Sequence, residues 1–175
     1  MNSYLEQLDK IKAFVFDVDG VFTDGSVTLL PSGDQTRVMN IKDGYAVQHA
    51  IKKGIEIAII SGGRSEAVRE RFKGLGVHNV YLGASYKMDV FEEFLLTYNL
   101  KKEEILYMGD DIPDYEIMKI VGLATCPADA APEIKEIAHY ISPVNGGKGC
   151  VRDIMEQYLK LKGLWFNADN DSFTW

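Results

Sequence analysis

Short, unbroken apolar runs recur along the chain at residues 13–16, 55–60, 80–82, 105–108, 123–126 and 138–141. Each is strand-sized and apolar at successive positions rather than at every second one. That pattern fits strands covered on both faces, as in a parallel sheet, whereas a sheet with one wet face alternates. Helix start and stop residues punctuate the stretches between them. Asp43 is placed to cap a helix that ends before Gly54, Ser65 to open one reaching Gly74, and Ser85 to cap one reaching about Asn99. Pro113 stands near the start of a fourth, which ends at Gly122. Strands alternating with helices predict a doubly wound α/β fold on a parallel sheet, with residues 1–175 forming one domain.

Residues 26–39 break the pattern. Ser26-Val-Thr-Leu-Leu and Gln35-Thr-Arg-Val-Met flank the turn-forming Pro31-Ser-Gly-Asp, which predicts a β-hairpin inserted between the first strand and the first long helix. The insertion is too short to be a domain. Placed at the carboxyl end of strand one, it would overhang the ligand crevice of such a sheet.

Four groups of residues carry candidate chemistry. Directly after the first apolar run comes Asp17-Val-Asp-Gly-Val-Phe-Thr-Asp-Gly. Two carboxylates two residues apart can divide the work of a group transfer: one attacks and binds a hard cation, the other moves protons. Gly20 would permit the tight turn that brings both into one site. The same residues also fit a plain capped turn. After the run at 55–60 come Ser61, Gly62 and Gly63 ahead of a helix start, either a phosphate cradle of hydroxyl and backbone N–H groups or an ordinary strand–helix turn. Lys87, near the next helix start, would by itself read as a solvated lysine. Gly109-Asp110-Asp111-Ile112-Pro113-Asp114 follows the run at 105–108 and offers oxygen ligands of the kind Mg²⁺ takes. It equally suits an acidic helix N-terminus.

The four groups occur in order, each at or just beyond a predicted strand end. In that order Asp17 with Asp19, Ser61, Lys87, and Asp110 with Asp114 resemble the haloacid dehalogenase superfamily over nearly the whole chain. The resemblance implies a Rossmann-like fold and Mg²⁺-dependent phosphate-ester hydrolysis through an aspartyl-phosphate. Asp17 would be the nucleophile and a metal ligand. Asp19 would be the acid/base, its backbone carbonyl also on the metal. Ser61, Gly62 and Lys87 would hold the phosphoryl group, Asp110 would ligate Mg²⁺, and Asp111 and Asp114 would support the acidic loop. Within the superfamily, Asp17–Gly25, the hairpin, Lys42-Asp43-Gly44 and Gly146-Gly-Lys-Gly-Cys-Val-Arg152 are similar to the capless phosphatases of 3-deoxy-D-manno-octulosonate 8-phosphate. That likeness implies a phosphorylated sugar acid as substrate, a place in lipopolysaccharide sugar synthesis, and a homotetramer whose subunits complete each other's sites. A sister branch acting on a nine-carbon sugar acid 9-phosphate carries a Glu and a Lys where this chain has Gly63 and Gly74, which favours the eight-carbon acid. Thr23 and Asp43 lie within these motifs and are substrate-contact candidates. Arg64 and Arg71 share a helix face with Val68 and either meet the sugar-acid carboxylate or belong to a solvated surface.

Composition narrows the classes. The chain is 46% hydrophobic and 26% charged, as soluble globular proteins are. A net charge of −7 argues against nucleic-acid binding but not against an anionic substrate, since a metal ion reverses the local sign. No apolar run approaches the ~20 residues of a membrane span and the first residues carry no signal core, so a cytoplasmic protein is expected. Cys126 and Cys150 form no metal-binding pattern and are expected as buried thiols. A receiver domain would need an acid where Ser61 stands, and a catalytically dead regulatory domain would not be expected to keep the full acidic set. The aromatic tail from Leu164 to Trp175 either docks on a neighbour or hangs free.

Overall fold

Every residue of β1 (Ala13–Phe16) is buried, and alternate side chains serve different cores. Phe14 and Phe16 join one cluster with Ile57, Ile59, Leu106 and Met108, while Ala13 and Val15 join another with Ala58, Ile60, Ile105 and Tyr107. Two covered faces explain the unbroken apolar runs. Each fully buried phenylalanine contributes roughly 2–3 kcal/mol of hydrophobic stabilisation.

The structure, a computed structural model, describes residues 4–166. Its main sheet is six-stranded and parallel, in the order β5 (Asn79–Leu82), β4 (Glu56–Ser61), β1, β6 (Ile105–Met108), β7 (Leu123–Cys126), β8 (Tyr140–Ile141). Helices α1 (Tyr4–Leu8), α2 (Ile41–Lys52), α3 (Glu66–Gly74) and α7 (Cys150–Leu161) bring side chains to the first core. Helices α4 (Lys87–Tyr98), α5 (Tyr115–Met118) and α6 (Pro132–Ile137) cover the second. The expected doubly wound α/β architecture is therefore present. β2 (Thr28–Leu29) and β3 (Gln35–Thr36) form the antiparallel hairpin, with ladder pairs Thr28–Thr36 and Leu29–Gln35. Among the described residues, this hairpin is what stands in the place of a cap.

Register sets the position of the site. Phe16 lies level with Ile59 on one side and Met108 on the other, so the chain leaves β1, β4 and β6 along one edge. The chain turns to opposite sides of β1 there, the point at which such sheets bind ligands.

Several expected boundaries moved. Asn40, not Asp43, caps α2: its Oδ1 accepts from the Lys42 N–H at 2.8 Å. Asn is as good an N-cap and comes three residues earlier. Tyr86, not Ser85, precedes α4, although that helix does end at Asn99, which takes the left-handed conformation at φ 49°. Pro113 sits inside a 3-10 turn over Ile112–Asp114, and only the single turn of α5 follows, short of Gly122. Ser65 does open α3. Helices α1, α6 and α7 were not anticipated.

Asp43 has a different task. It is fully buried, and its Oδ1 accepts the Arg152 N–H at 2.7 Å, so it serves the first turn of α7 from across the helix pair. Burial pushes its carboxyl from 3.8 up to about 6, against the pull of the hydrogen bond and charge of Arg152. Folded protein then holds this proton where the unfolded chain has lost it, so the contribution of Asp43 to stability falls as pH rises from about 4 to about 6 and is level above. The full span is on the order of 2–3 kcal/mol. Asp43→Asn keeps an acceptor and should remove that slope. Urea unfolding of both proteins at pH 4.5 and 7.5 checks this: a wild-type-to-variant difference that does not change with pH would contradict it.

Both cysteines are buried and free. Of the aromatic tail, Leu164 and Trp165 pack on the first core, with His49 Nε2 bonded to the Leu164 carbonyl at 2.9 Å. Phe173 and Trp175 lie outside the described residues.

Candidate active site

Asp17 is the first residue past β1, and its N–H donates to the Met108 carbonyl at 3.0 Å, extending the ladder by one step. The chain then turns back on itself, with the N–H groups of Val21, Phe22 and Thr23 all reaching the Val18 carbonyl. Gly20 has φ 87°, and a Cβ there would overlap Asp110 Oδ2. Only glycine lets the two acidic loops approach this closely. A second loop braces the first from behind: Gly147 N–H donates to the Val21 carbonyl at 2.9 Å, and side chains at Gly146 or Gly147 would collide with the backbone of Gly20 and Thr23.

Lys87 joins the acids. Its Nζ lies 2.9 Å from Asp17 Oδ1 and 2.7 Å from Asp114 Oδ1, and all three side chains are buried. The Tyr107 hydroxyl donates to the same Asp114 oxygen at 2.6 Å, and the Asp110 N–H reaches its other oxygen at 3.2 Å. Asp114 is thus bound by three donors and acts as a brace between Lys87 and the acidic loop. Tyr107 was missed because, as the third residue of an apolar strand, it reads as core.

Electrostatics follow from burial. Desolvation, helped by the Asp114 carboxylate and opposed by Lys87, pushes Asp17 up to about 8. Burial and then Asp114 and Asp111 push Asp110 up to about 7. Burial lowers Lys87, but Asp17 and Asp114 outweigh it and hold the ammonium above its ordinary value.

One cleft of about 1020 Å³ is lined by Asp17, Asp19, Ser61, Gly62, Lys87, Asp110, Asp111 and Asp114. Every residue expected to act on phosphate or metal is therefore brought together. Ser61 Oγ accepts the Gly63 N–H at 3.0 Å, which fixes the glycine turn above the end of β4. The four substrate-contact candidates are not in this lining. Thr23 is buried, and its Oγ1 accepts from the Gly20 and Gly25 N–H groups, both at 3.2 Å, so it ties the loop that follows Asp17. Asp43 caps α7. Arg64 lies against Gly83, and the Arg71 guanidinium rests on Gly44 of α2. A residue that sequence reading passed over, Arg37 of the hairpin, reaches the site instead. Its Nε lies 2.5 Å from Asp19 Oδ1 and its Nη2 3.3 Å from Asp19 Oδ2.

The donor set fits a magnesium ion. Carboxylate oxygens of Asp17, Asp110 and Asp114 lie within 4.8 Å of one another, and the set offers only oxygen. When all are ionised, three buried or half-buried acids faced by one lysine carry an excess of two negative charges, which a divalent cation would balance.

Comparison with known proteins agrees with this geometry. A family model of haloacid dehalogenase-like hydrolases matches residues 83–154. The 3-deoxy-D-manno-octulosonate 8-phosphate phosphatase of Yersinia pestis is 34% identical over 163 residues, covering 91% of this chain and 87% of that protein. The same enzyme of Escherichia coli K12 is 33% identical over 96% of this chain and 89% of its own. A crystal structure of the Yersinia pestis phosphatase superposes with a TM-score of 0.90 at 32% identity, over 93% of this chain and 88% of that one. The Moraxella catarrhalis phosphatase, solved in complex with a magnesium ion, a phosphate ion and a KDO molecule, gives a TM-score of 0.88 at 29% identity, over 92% of each chain. By fold, by acidic site and by these relatives, the chain belongs to the haloacid dehalogenase-like hydrolases, in the family of 3-deoxy-D-manno-octulosonate 8-phosphate phosphatases.

Proposed function

We propose that the chain hydrolyses 3-deoxy-D-manno-octulosonate 8-phosphate to the free sugar acid and inorganic phosphate. The observation that carries this reading is the meeting of Asp17 with Lys87 at 2.9 Å in the cleft that also holds Ser61, Asp19 and Asp110. An Asp17 oxygen attacks phosphorus, and the bond from phosphorus to the sugar oxygen breaks. Asp19 gives its proton to that leaving oxygen. Asp19, now a carboxylate, takes a proton from water, which attacks the aspartyl-phosphate and frees Asp17 and phosphate. Lys87 and the Ser61–Gly63 turn hold the phosphoryl oxygens throughout. Magnesium, held by Asp17, the Asp19 carbonyl and Asp110, would supply the positive charge that lets a carboxylate approach a phosphate dianion.

Eight carboxylates and one lysine line the cleft. A substrate bearing both a phosphate and a carboxylate needs further cations, and Arg64 and Arg71 of the same chain do not line the cleft. This supports a homotetramer in which neighbours complete each site. The hairpin has the apolar surface for it: Val38 is 83% exposed and Leu29 71%, while Met39 turns inward against the core. Small uncharged residues at Gly63, in the cleft wall, and at Gly74 support the eight-carbon substrate over the nine-carbon one. No helix among the described residues is long and apolar enough to cross a membrane, and we place the enzyme in the cytoplasm, in lipopolysaccharide sugar synthesis.

Phosphate release from both sugar acid phosphates, on a preparation whose mass is measured by sedimentation, tests the proposal. The expected result is a higher kcat/KM for the eight-carbon ester from a tetramer. A higher value for the nine-carbon 9-phosphate overturns the substrate, and a fully active monomer overturns the assembly.

A further inference from the structure

The hairpin sends one side chain into the site. Arg37, next after β3, is only 9% exposed along its side chain, whereas the Asp19 side chain it meets is 37% exposed. Its side chain helps to wall a tight crevice together with Val18, Ser65, Val68 and Leu82. Nε lies 2.5 Å from one Asp19 oxygen and Nη2 3.3 Å from the other, a two-pronged contact that fixes the plane of the carboxylate as well as its position. The pair sits beside Gly63: a Cβ there would stand 3.4 Å from Arg37 Nη2 and 3.4 Å from Asp19 Oδ2, in van der Waals contact with both. The guanidinium and the carboxylate therefore lie against the same glycine turn that is placed to hold phosphate.

We infer that Arg37 is a positioning residue that aims the Asp19 carboxylate at the leaving oxygen, an inference that rests on the proton-transfer role proposed above for Asp19. A half-exposed aspartate on a loop has several rotamers open to it, and proton transfer needs one of them within hydrogen-bond reach of the ester oxygen. The Arg37 fork selects that rotamer. It also makes the hairpin part of the proton-transfer machinery, since the side chain that orients Asp19 is carried on the insertion and not on the sheet.

Leaving-group dependence separates this role from a structural one. Arg37→Met keeps the stem beside its crevice and removes the fork. On the sugar acid phosphate, whose alkoxide needs a proton to depart, kcat should fall by about 10²-fold, the scale of a misplaced catalytic group. On p-nitrophenyl phosphate, whose leaving group departs without a proton, the loss should be several-fold smaller. Arg37→Lys, which keeps charge but cannot fork, should recover only part of the sugar-phosphate rate. Asp19→Asn, measured beside them, should show the same selectivity more strongly. Equal losses on both esters, a loss carried by KM instead of kcat, or no loss at all would each overturn the inference for Arg37. If Asp19→Asn itself shows no selectivity between the esters, the proton-transfer role of Asp19 fails, and the inference goes with it.

Discussion

Asp17→Asn should yield a folded protein with turnover reduced on the order of 10⁴-fold or more, because the proposed reaction is divided into two steps at this atom and an amide oxygen is a poor nucleophile. The surroundings predict a second effect of opposite sign. Asp17 is buried beside Asp114, and that environment already resists its ionisation, raising it to about 8. The amide cannot ionise in this buried place, while Lys87 keeps Asp114 at 2.7 Å. In metal-free buffer the variant should therefore unfold at a temperature no lower than the parent. A release assay with the sugar acid phosphate, paired with thermal unfolding, checks both halves. Near-normal turnover would rule out Asp17 as the nucleophile. Lost turnover with a collapsed fold would show that the carboxylate is needed for structure.

Gly20→Ala should be almost as damaging, although it adds a single methyl group. The residue sits at φ 87°, where an alanine costs roughly 1–2 kcal/mol, and its Cβ would overlap the Asp110 carboxylate. Either the loop after Asp17 retreats or Asp110 swings away, and both separate the acids proposed to share a cation. The expected result is a fall of about 10²-fold in kcat with a raised magnesium requirement. Gly33→Ala supplies the control: φ is 89° there too, but nothing lies within 4 Å of the added carbon. It should show the backbone strain without the loss. Equal activity of the two variants would mean that the close approach of the loops does not matter.

Much of the fold was legible because its signal is local. Four consecutive buried residues in each of β1, β6 and β7 announce two covered faces without any tertiary knowledge. The acids, Ser61 and Lys87 were legible because each follows a strand end, and the parallel register places those ends along one edge. What failed to read had partners far away in sequence. Asp43 looks like the cap of its own helix, but its hydrogen bond goes to Arg152, 109 residues on. The start of α7 sits behind glycines and has no capping side chain of its own. Arg64 and Arg71 were expected on one helix face with Val68, but Arg64 precedes the Ser65 that opens α3 and lies against Gly83, while Arg71 lies against Gly44. Arg37 carries no motif. Its significance depends on the path of the hairpin, which two pairs of ladder residues do not announce.

The brace behind the loop that follows Asp17 has a consequence for the order in which the enzyme comes into being. A ribosome that has finished residue 114 has already made every residue proposed to touch phosphate or metal. It has not yet made Gly146, Gly147 or Cys150, whose backbone and thiol hold the Val18–Thr23 turn through Gly20 and the Val21 carbonyl. Contacts that span so much of the chain form late, since they wait on the closure of a long loop. The nascent protein thus passes through a stage in which its chemical groups are complete but the turn that carries Asp17 and Asp19 still lacks its brace, supplied by Gly146, Gly147 and the first residue of α7, none of which lines the cleft.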